Sequence, residues 1–403
     1  MKYLARLLLT AIVVAVSPGA VAQGVTIGGT PAEGESATGF TSMFSGDLYD
    51  NFRNMQRFVP TSVMTPGEQA WDLGANADTL EFTGDFLGEP TSLENYLALS
   101  NTSALLVIKD GGVIFEHYAH GDSVDSLHTS FSVAKSFVAT LVGIAVEEGL
   151  IKSIDEPIRK YLPQLTSKTW DDVTIRHVLQ MSSGVRFNET YTDPESDINK
   201  MGVMTQEMSY LEYINTLERD HAPGTFNHYA SINTQLLGIL LVEVSGKTLT
   251  EYMQEKLWQP IGMEQEGRWT LDEQGYELAM GGMSASARDY AKLALVYLHG
   301  GKRGEQQIVP AEWVKAAVTP DAPHLQPGDN PASSNPSGYA YQWWTPRDPD
   351  GDFLARGIWG QTVYVHPGNN VVIVKLAADA KNFEKDYKLA YIDYLQDLAQ
   401  SLK

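Results

Sequence analysis

Apolar and polar positions divide the chain into recognisable elements. SALLVIK at 103–109, the turn residues Asp110-Gly111-Gly112 and VIFEHY at 113–118 predict a β-hairpin. Residues 133–149 (VAKSFVATLVGIAVEEG) are apolar on nearly every side and close at Gly149, which predicts a buried helix with a glycine stop. Shorter helical periodicities fall at 207–217, 230–241 and 285–299. Towards the C-terminus, QTVYV (361–365), Pro367-Gly368-Asn369-Asn370 and VVIVKLA (371–377) predict a second hairpin. Residues 384–402 predict a closing helix with Tyr387, Tyr391, Tyr394, Leu395 and Leu398 on one side. Strands near both ends with helices between them predict an α/β (α+β) fold, its sheet built from both chain ends around an inserted helical region. Residues 47–100 carry few signals.

The first residues follow a different logic. Lys2 and Arg6 precede a ten-residue apolar run at 7–16, and Ala20-Val21-Ala22 fits a small-residue cleavage site. The run is too short to span a bilayer, so 1–22 reads as a signal peptide cleaved after Ala22, and the protein is expected to be periplasmic or secreted without stable membrane insertion. Residues 23–46, rich in Gly, Ser and Thr, read as a flexible leader. The expected organisation is signal 1–22, leader and extension 23–84, and a domain at 85–402. Within that domain an α/β part covers about 85–135 and 285–402, and a helical part about 136–284.

Composition narrows the chemistry. Of 403 residues, 43% are hydrophobic and 20% charged, as in ordinary globular proteins. The absence of cysteine excludes disulfides, cysteine-ligated metals and a thiol nucleophile. The formal charge is −21, and cleavage would remove two positive charges to leave −23. With no basic cluster, nucleic acid is not an expected partner. The expected partner is a small molecule, and neither a cofactor nor a metal is expected.

Three short motifs remain. Ser132-Val133-Ala134-Lys135 sits where a polar stretch meets the first turn of the apolar helix. Positions i and i+3 share a helix face, so Lys135 would reach the Ser132 hydroxyl. Burial would lower the lysine pKa and make it a base. The bare spacing arises readily by chance, and the bland reading is a serine cap beside an outward-reaching lysine. Tyr229-Ala230-Ser231 opens the 230–241 helix, where the phenol would serve as a proton shuttle with its pKa lowered by a nearby lysine, or would simply pack. Ala355-Arg356-Gly357-Ile358 leads into a strand, and the Ile358 and Ser132 N–H groups would together hold an oxyanion. Gly121-Asp122-Ser123-Val124 with Asp321-Ala322-Pro323-His324 imitates an SGNH esterase, but its serine follows the polar His120 rather than a buried strand. No Gly-x-Ser-x-Gly elbow, P-loop or dinucleotide fingerprint is present.

In this order the motifs resemble the serine β-lactamase-related superfamily, which includes class C β-lactamases, D-alanyl-D-alanine carboxypeptidases, family VIII carboxylesterases and 6-aminohexanoate-dimer hydrolases. The likeness spans roughly 85–400 and includes the stretches at 130–151, 174–185, 223–238, 286–301 and 358–377. It implies a β-lactamase/penicillin-binding-protein-like fold and catalytic roles for Ser132, Lys135 and Tyr229. Two departures stand out. Class C enzymes carry Tyr-x-Asn where this chain has Ser231, with Asn233 open as a shifted alternative. Ala355-Arg356-Gly357 replaces Lys-Thr-Gly, which argues against efficient β-lactamase activity and leaves Arg356 as the cation of that element. The block Tyr191-Thr192-Asp193-Pro194 and Gly-Ile-Trp-Gly-Gln at 357–361 look closest to the 6-aminohexanoate-dimer hydrolase branch. That likeness implies an acyl pocket lined by Tyr191 and covered by Trp343 or Trp344, with Ser231, Gly357 and Gln361 also at the substrate. The expected function is an exported serine hydrolase that cleaves a small ester or linear amide through an acyl-enzyme on Ser132. Alternatives are a D-alanyl-D-alanine carboxypeptidase, a weak β-lactamase, or a binding module for peptidoglycan or an acyl compound without turnover.

Overall fold

The computed structural model describes residues 27–28, 40–74, 79–204, 208–272 and 274–403. The expected signal peptide and most of the expected leader lie outside them. The hairpin strands β1 (Thr102–Lys109) and β2 (Gly112–Tyr118) form around Asp110 and Gly111, both at positive φ. Chain direction reverses there because Gly111 tolerates that region without strain. Helix α1 (Ala134–Glu147) ends beside Gly149 at φ +74, the glycine stop expected from the sequence. Helices α2 (Ile232–Ser245) and α3 (Ala287–Leu298) follow. The chain then lays down the short strands β3 (Gly338–Tyr339) and β4 (Trp344–Thr345) and the longer β5 (Phe353–Gly357), β6 (Gln361–His366) and β7 (Val371–Ala377). Helix α4 (Lys385–Ser401) closes the fold.

All seven strands make one antiparallel sheet in the order β3-β4-β5-β6-β7-β1-β2. The pairing of β7 with β1 joins strands from opposite ends of the chain. The apolar runs lack polar alternation because both faces are covered. Leu106, Ile108, Val363, Val365, Val372 and Val374 face one core with Ala291 and Leu295 of α3. Leu105, Val107, Tyr364 and Ile373 face the other with Tyr391 and Leu395 of α4. At about 1.5–3 kcal/mol for each fully buried apolar side chain, these two layers supply the main driving force. Helix α1 is buried at every residue from Ala134 to Ala145, as its all-round apolar pattern predicts.

A second sheet positions the site, and its pattern was invisible in the sequence. Thr61–Met64, Gly267–Thr270, Met283–Ala285 and His128–Thr129 pair in that order, with Ile27–Gly28 at the outer edge. Part of the expected extension is therefore a paired strand. His128–Thr129 delivers the chain directly to Ser132. Among the described residues no helix is long and apolar enough to cross a membrane.

Candidate active site

The approach to Ser132 is held from three sides. Ser130 donates its N–H to the Met283 carbonyl at 2.9 Å, which ties the segment to the second sheet. Phe131 takes φ +47, a strained value for a non-glycine residue, and its ring is locked by Phe44 (6.1 Å, stacked) and Phe52 (5.1 Å, edge-on). A 3₁₀ turn at Phe131–Val133 then runs into α1, placing Ser132 at the mouth of a helix N-terminus.

Lys135 is 1% exposed and its Nζ lies 2.8 Å from Ser132 Oγ. A second Nζ hydrogen donates to the Met280 carbonyl. The sequence placed these two side chains on one face, and the structure brings them into contact. Burial lowers the Lys135 pKa from 10.5 to about 7, against the opposing charge of Glu189. A substantial fraction of this lysine is thus neutral near pH 7 and able to accept a proton.

Tyr229 lies on the other side, its ring centroid 5.3 Å from Lys135 Nζ. The ring stacks on Trp344 at 5.2 Å and meets Tyr339 edge-on at 6.2 Å. The expectation of a lowered phenol pKa is overturned. Burial and then the Glu189 carboxylate push it well up, outweighing the Ser132 and Ser231 hydroxyls and the Arg356 charge. Tyr229 therefore keeps its proton at neutral pH and is equipped to donate it.

Gly357, at the end of β5, explains the late glycine. A Cβ there would lie 2.2 Å from the Ser130 carbonyl oxygen and 3.1 Å from Ser132 N. Only a bare α-carbon lets the two backbones touch, and this contact puts the turn Ile358–Gly360 beside Ser132.

Around Ser132 opens a cavity of about 170 Å³, lined by Glu189, Tyr191, Tyr229, Asn335, Trp344, Arg356, Gly357, Ile358, Asn382, Lys388 and Tyr391. Of the two candidate tryptophans, Trp344 lines it. Trp343 is fully buried on the other side against Tyr297 (4.6 Å) and Phe353 (5.3 Å), because successive residues entering β4 face opposite layers. Gln361 also falls outside the cavity. It braces the turn Ile358–Gly360 from behind, bonding the Ile358 and Ala377 carbonyls and the Ala377 N–H. Ser231 is 1% exposed and gives its hydroxyl and N–H to Glu189 rather than to the cavity. Asn233 packs on Met181 Sδ at 3.5 Å, so neither residue fills an asparagine's place at the cavity surface. Ser123 of the esterase decoy sits in an exposed turn bonded to Ser126.

Glu189 escaped the sequence reading. Its carboxylate accepts from Ser231 N at 2.8 Å, from Ser231 Oγ and from the Tyr191 hydroxyl at 2.6 Å, anchoring the N-terminus of α2. It lies in a polar loop 42 residues from its partner, and no local spacing marks it.

A family model described as Beta-lactamase matches residues 101–397. The chain is 29% identical over 342 residues to a 6-aminohexanoate-dimer hydrolase of Paenarthrobacter ureafaciens, covering 81% of this chain and 84% of that protein. A Bacillus anthracis structure provisionally assigned as a 6-aminohexanoate-dimer hydrolase superposes with a TM-score of 0.77 at 23% identity, covering 93% of this chain and 98% of that one. EstCE1, a hydrolase with promiscuous acyltransferase activity, gives 0.60 at 17% identity over 74% of this chain and 95% of its own. These two structures share the fold predicted from the strand and helix pattern. The family match spans the whole sheet and both helical layers, so this chain belongs to the β-lactamase family and is a hydrolase of the serine type.

Proposed function

We propose that the protein is an exported enzyme that cleaves a small ester or linear amide through an acyl-enzyme on Ser132. The observation that carries the reading is the 2.8 Å contact between the buried Lys135 Nζ and Ser132 Oγ, at the floor of the cavity. Likeness over four-fifths of the chain to a 6-aminohexanoate-dimer hydrolase supports the substrate class. Neutral Lys135 takes the Ser132 proton as Oγ bonds to the carbonyl carbon. The Ser132 and Ile358 N–H groups face the developing oxyanion. Collapse breaks the bond to the leaving oxygen or nitrogen, which takes the Tyr229 proton, and Lys135 reprotonates Tyr229. Water then releases the acyl group.

The test is a fluorophosphonate probe with the labelled peptide mapped by mass spectrometry. Label on Ser132, lost in Lys135→Ala, is the expected result; label on Ser123 or none at all sinks the reading. A second prediction concerns Gly357. Gly357→Ala pushes the β5 end off the Ser130 carbonyl and spoils oxyanion geometry, lowering kcat/KM by about 10²-fold with little change in KM. Steady-state kinetics on a 4-nitrophenyl ester reads this directly, and wild-type kcat would show that the close approach has no catalytic use.

A further inference from the structure

Residues 40–59 pack on the two segments that meet at Ser132. A 3₁₀ turn at Phe40–Phe44, in a stretch expected from the sequence to be leader, is followed by a short helix at Leu48–Arg53. Phe44 and Phe52 enter a small core with Phe131, Ile358 and Trp359, separate from the cores on the two faces of the sheet. Asn51 ties the turn to the helix by donating to the Met43 and Ser45 carbonyls at 2.9 and 2.6 Å. Arg53 ties the helix to the main domain through the His120 carbonyl and the Asp122 carboxylate, both at 2.7 Å.

The residues beside the two proposed oxyanion donors share a costly backbone. Phe131 precedes Ser132 at φ +47, and Trp359 follows Ile358 at φ +64. Among the described non-glycine residues at positive φ, these carry the two bulkiest side chains. Left-handed backbone is disfavoured for such residues and persists only where the surroundings hold it. Phe44 supplies that hold on both sides at once. Its ring stacks on Phe131 at 6.1 Å and 21°, and on Trp359 at 6.1 Å and 15°. Phe52 meets the same two rings edge-on, at 5.1 and 5.7 Å. Burying apolar surface does not by itself call for strain in two neighbours of a reacting centre. One ring bridging two strained residues, each next to one N–H, fixes the distance between those N–H groups. Donors fixed before the reaction are what a developing oxyanion needs, because they cost no reorganisation when the charge appears.

We propose that Phe44 is a positioning residue, stacked on Phe131 and Trp359 so that the Ser132 and Ile358 N–H groups stay at the spacing an oxyanion requires. This rests on Ser132 as nucleophile and on those two N–H groups as the oxyanion donors. The experiment compares kcat/KM for 4-nitrophenyl acetate with that for its thiono analogue, in which C=S replaces C=O. Sulfur accepts hydrogen bonds weakly, so the thiono ester gains little from well-placed donors. Phe44→Ala is expected to lower the oxygen-ester value by about tenfold and the thiono value by less than about twofold, so the preference for oxygen shrinks. Phe44→Leu keeps apolar bulk without the flat ring and shrinks the preference by about threefold or more, whereas Phe44→Tyr keeps the ring and holds it within about twofold. Phe58→Ala removes another partly buried ring of the same core, one that makes no ring contact with Phe131 or Trp359 among the described residues. It should lower the melting temperature and leave the preference unchanged. A preference unmoved in both Phe44→Ala and Phe44→Leu, or moved as far by Phe58→Ala, overturns the positioning role alone, provided that the fluorophosphonate labels Ser132. No label on Ser132 in the wild type overturns both readings.

Discussion

Ser132→Ala lowers turnover of a 4-nitrophenyl short-chain ester by about 10⁵-fold while the far-UV circular dichroism stays native. The size follows from what is lost. Ser132 Oγ is the nucleophile candidate in contact with Lys135, and its removal leaves a cavity with polarising N–H groups and nothing to carry the acyl group. The fold survives because the side chain supports little. The turn at Phe131–Val133 takes no cap from Ser132, and its backbone is held by Ser130 and by the ring of Phe131. After the substitution Lys135 keeps its bond to the Met280 carbonyl. Turnover retained within tenfold in the variant would remove the acyl-enzyme from the mechanism.

Much of this site could be read in the sequence, for local reasons. Ser132 and Lys135 lie one helical turn apart at the start of an apolar run, so their contact follows from helix geometry. Both long hairpins could be read because two covered faces demand continuous apolar strands. What escaped depends on long-range meetings. Thr61–Met64 pairs with Gly267–Thr270, two short strands some 200 residues apart with no pattern of their own. Glu189 reads as one acid in a polar loop, and only its three acceptor bonds mark it. Lys388 adjoins Tyr387 on α4 and reads from the sequence as a boundary residue of an amphipathic helix, yet it points into the cavity. Trp343 and Trp344 are indistinguishable by composition, and the strand register decides which one meets the cavity. The Tyr229 pKa rises rather than falls because burial of the phenol, which depends on distant packing, outweighs its closeness to Lys135.

Lys135→Met is expected to cost about 10³–10⁴-fold in kcat/KM and, at the same time, to stabilise the protein. The kinetic half follows from the base. In the wild type, kcat/KM should climb about tenfold per pH unit below 7 and level off above about 8, as the lysine loses its proton near 7. An optimum near pH 5 would mean that another group holds the proton. The variant has no such base, and its residual rate should lose that step. The stability half follows from the same shift. Lys135 titrates near 10.5 when unfolded and near 7 when folded, so the unfolded chain binds the extra proton between those values. Stability linked to this group therefore rises with pH across that window, and the penalty of burying the charged form is complete only below about 7. Methionine fills the space without a charge and forgoes the hydrogen bonds to Ser132 and to the Met280 carbonyl. The variant should then melt higher than wild type, by a margin on the order of a few kcal/mol at pH 6 that narrows at pH 9. Thermal unfolding of both proteins at the two pH values measures that margin. A gap that is flat or widens with pH would show that Lys135 is charged in the folded state and is not the base. A narrowing gap would mean that the fold keeps a destabilising residue at the place where the chemistry needs a neutral amine.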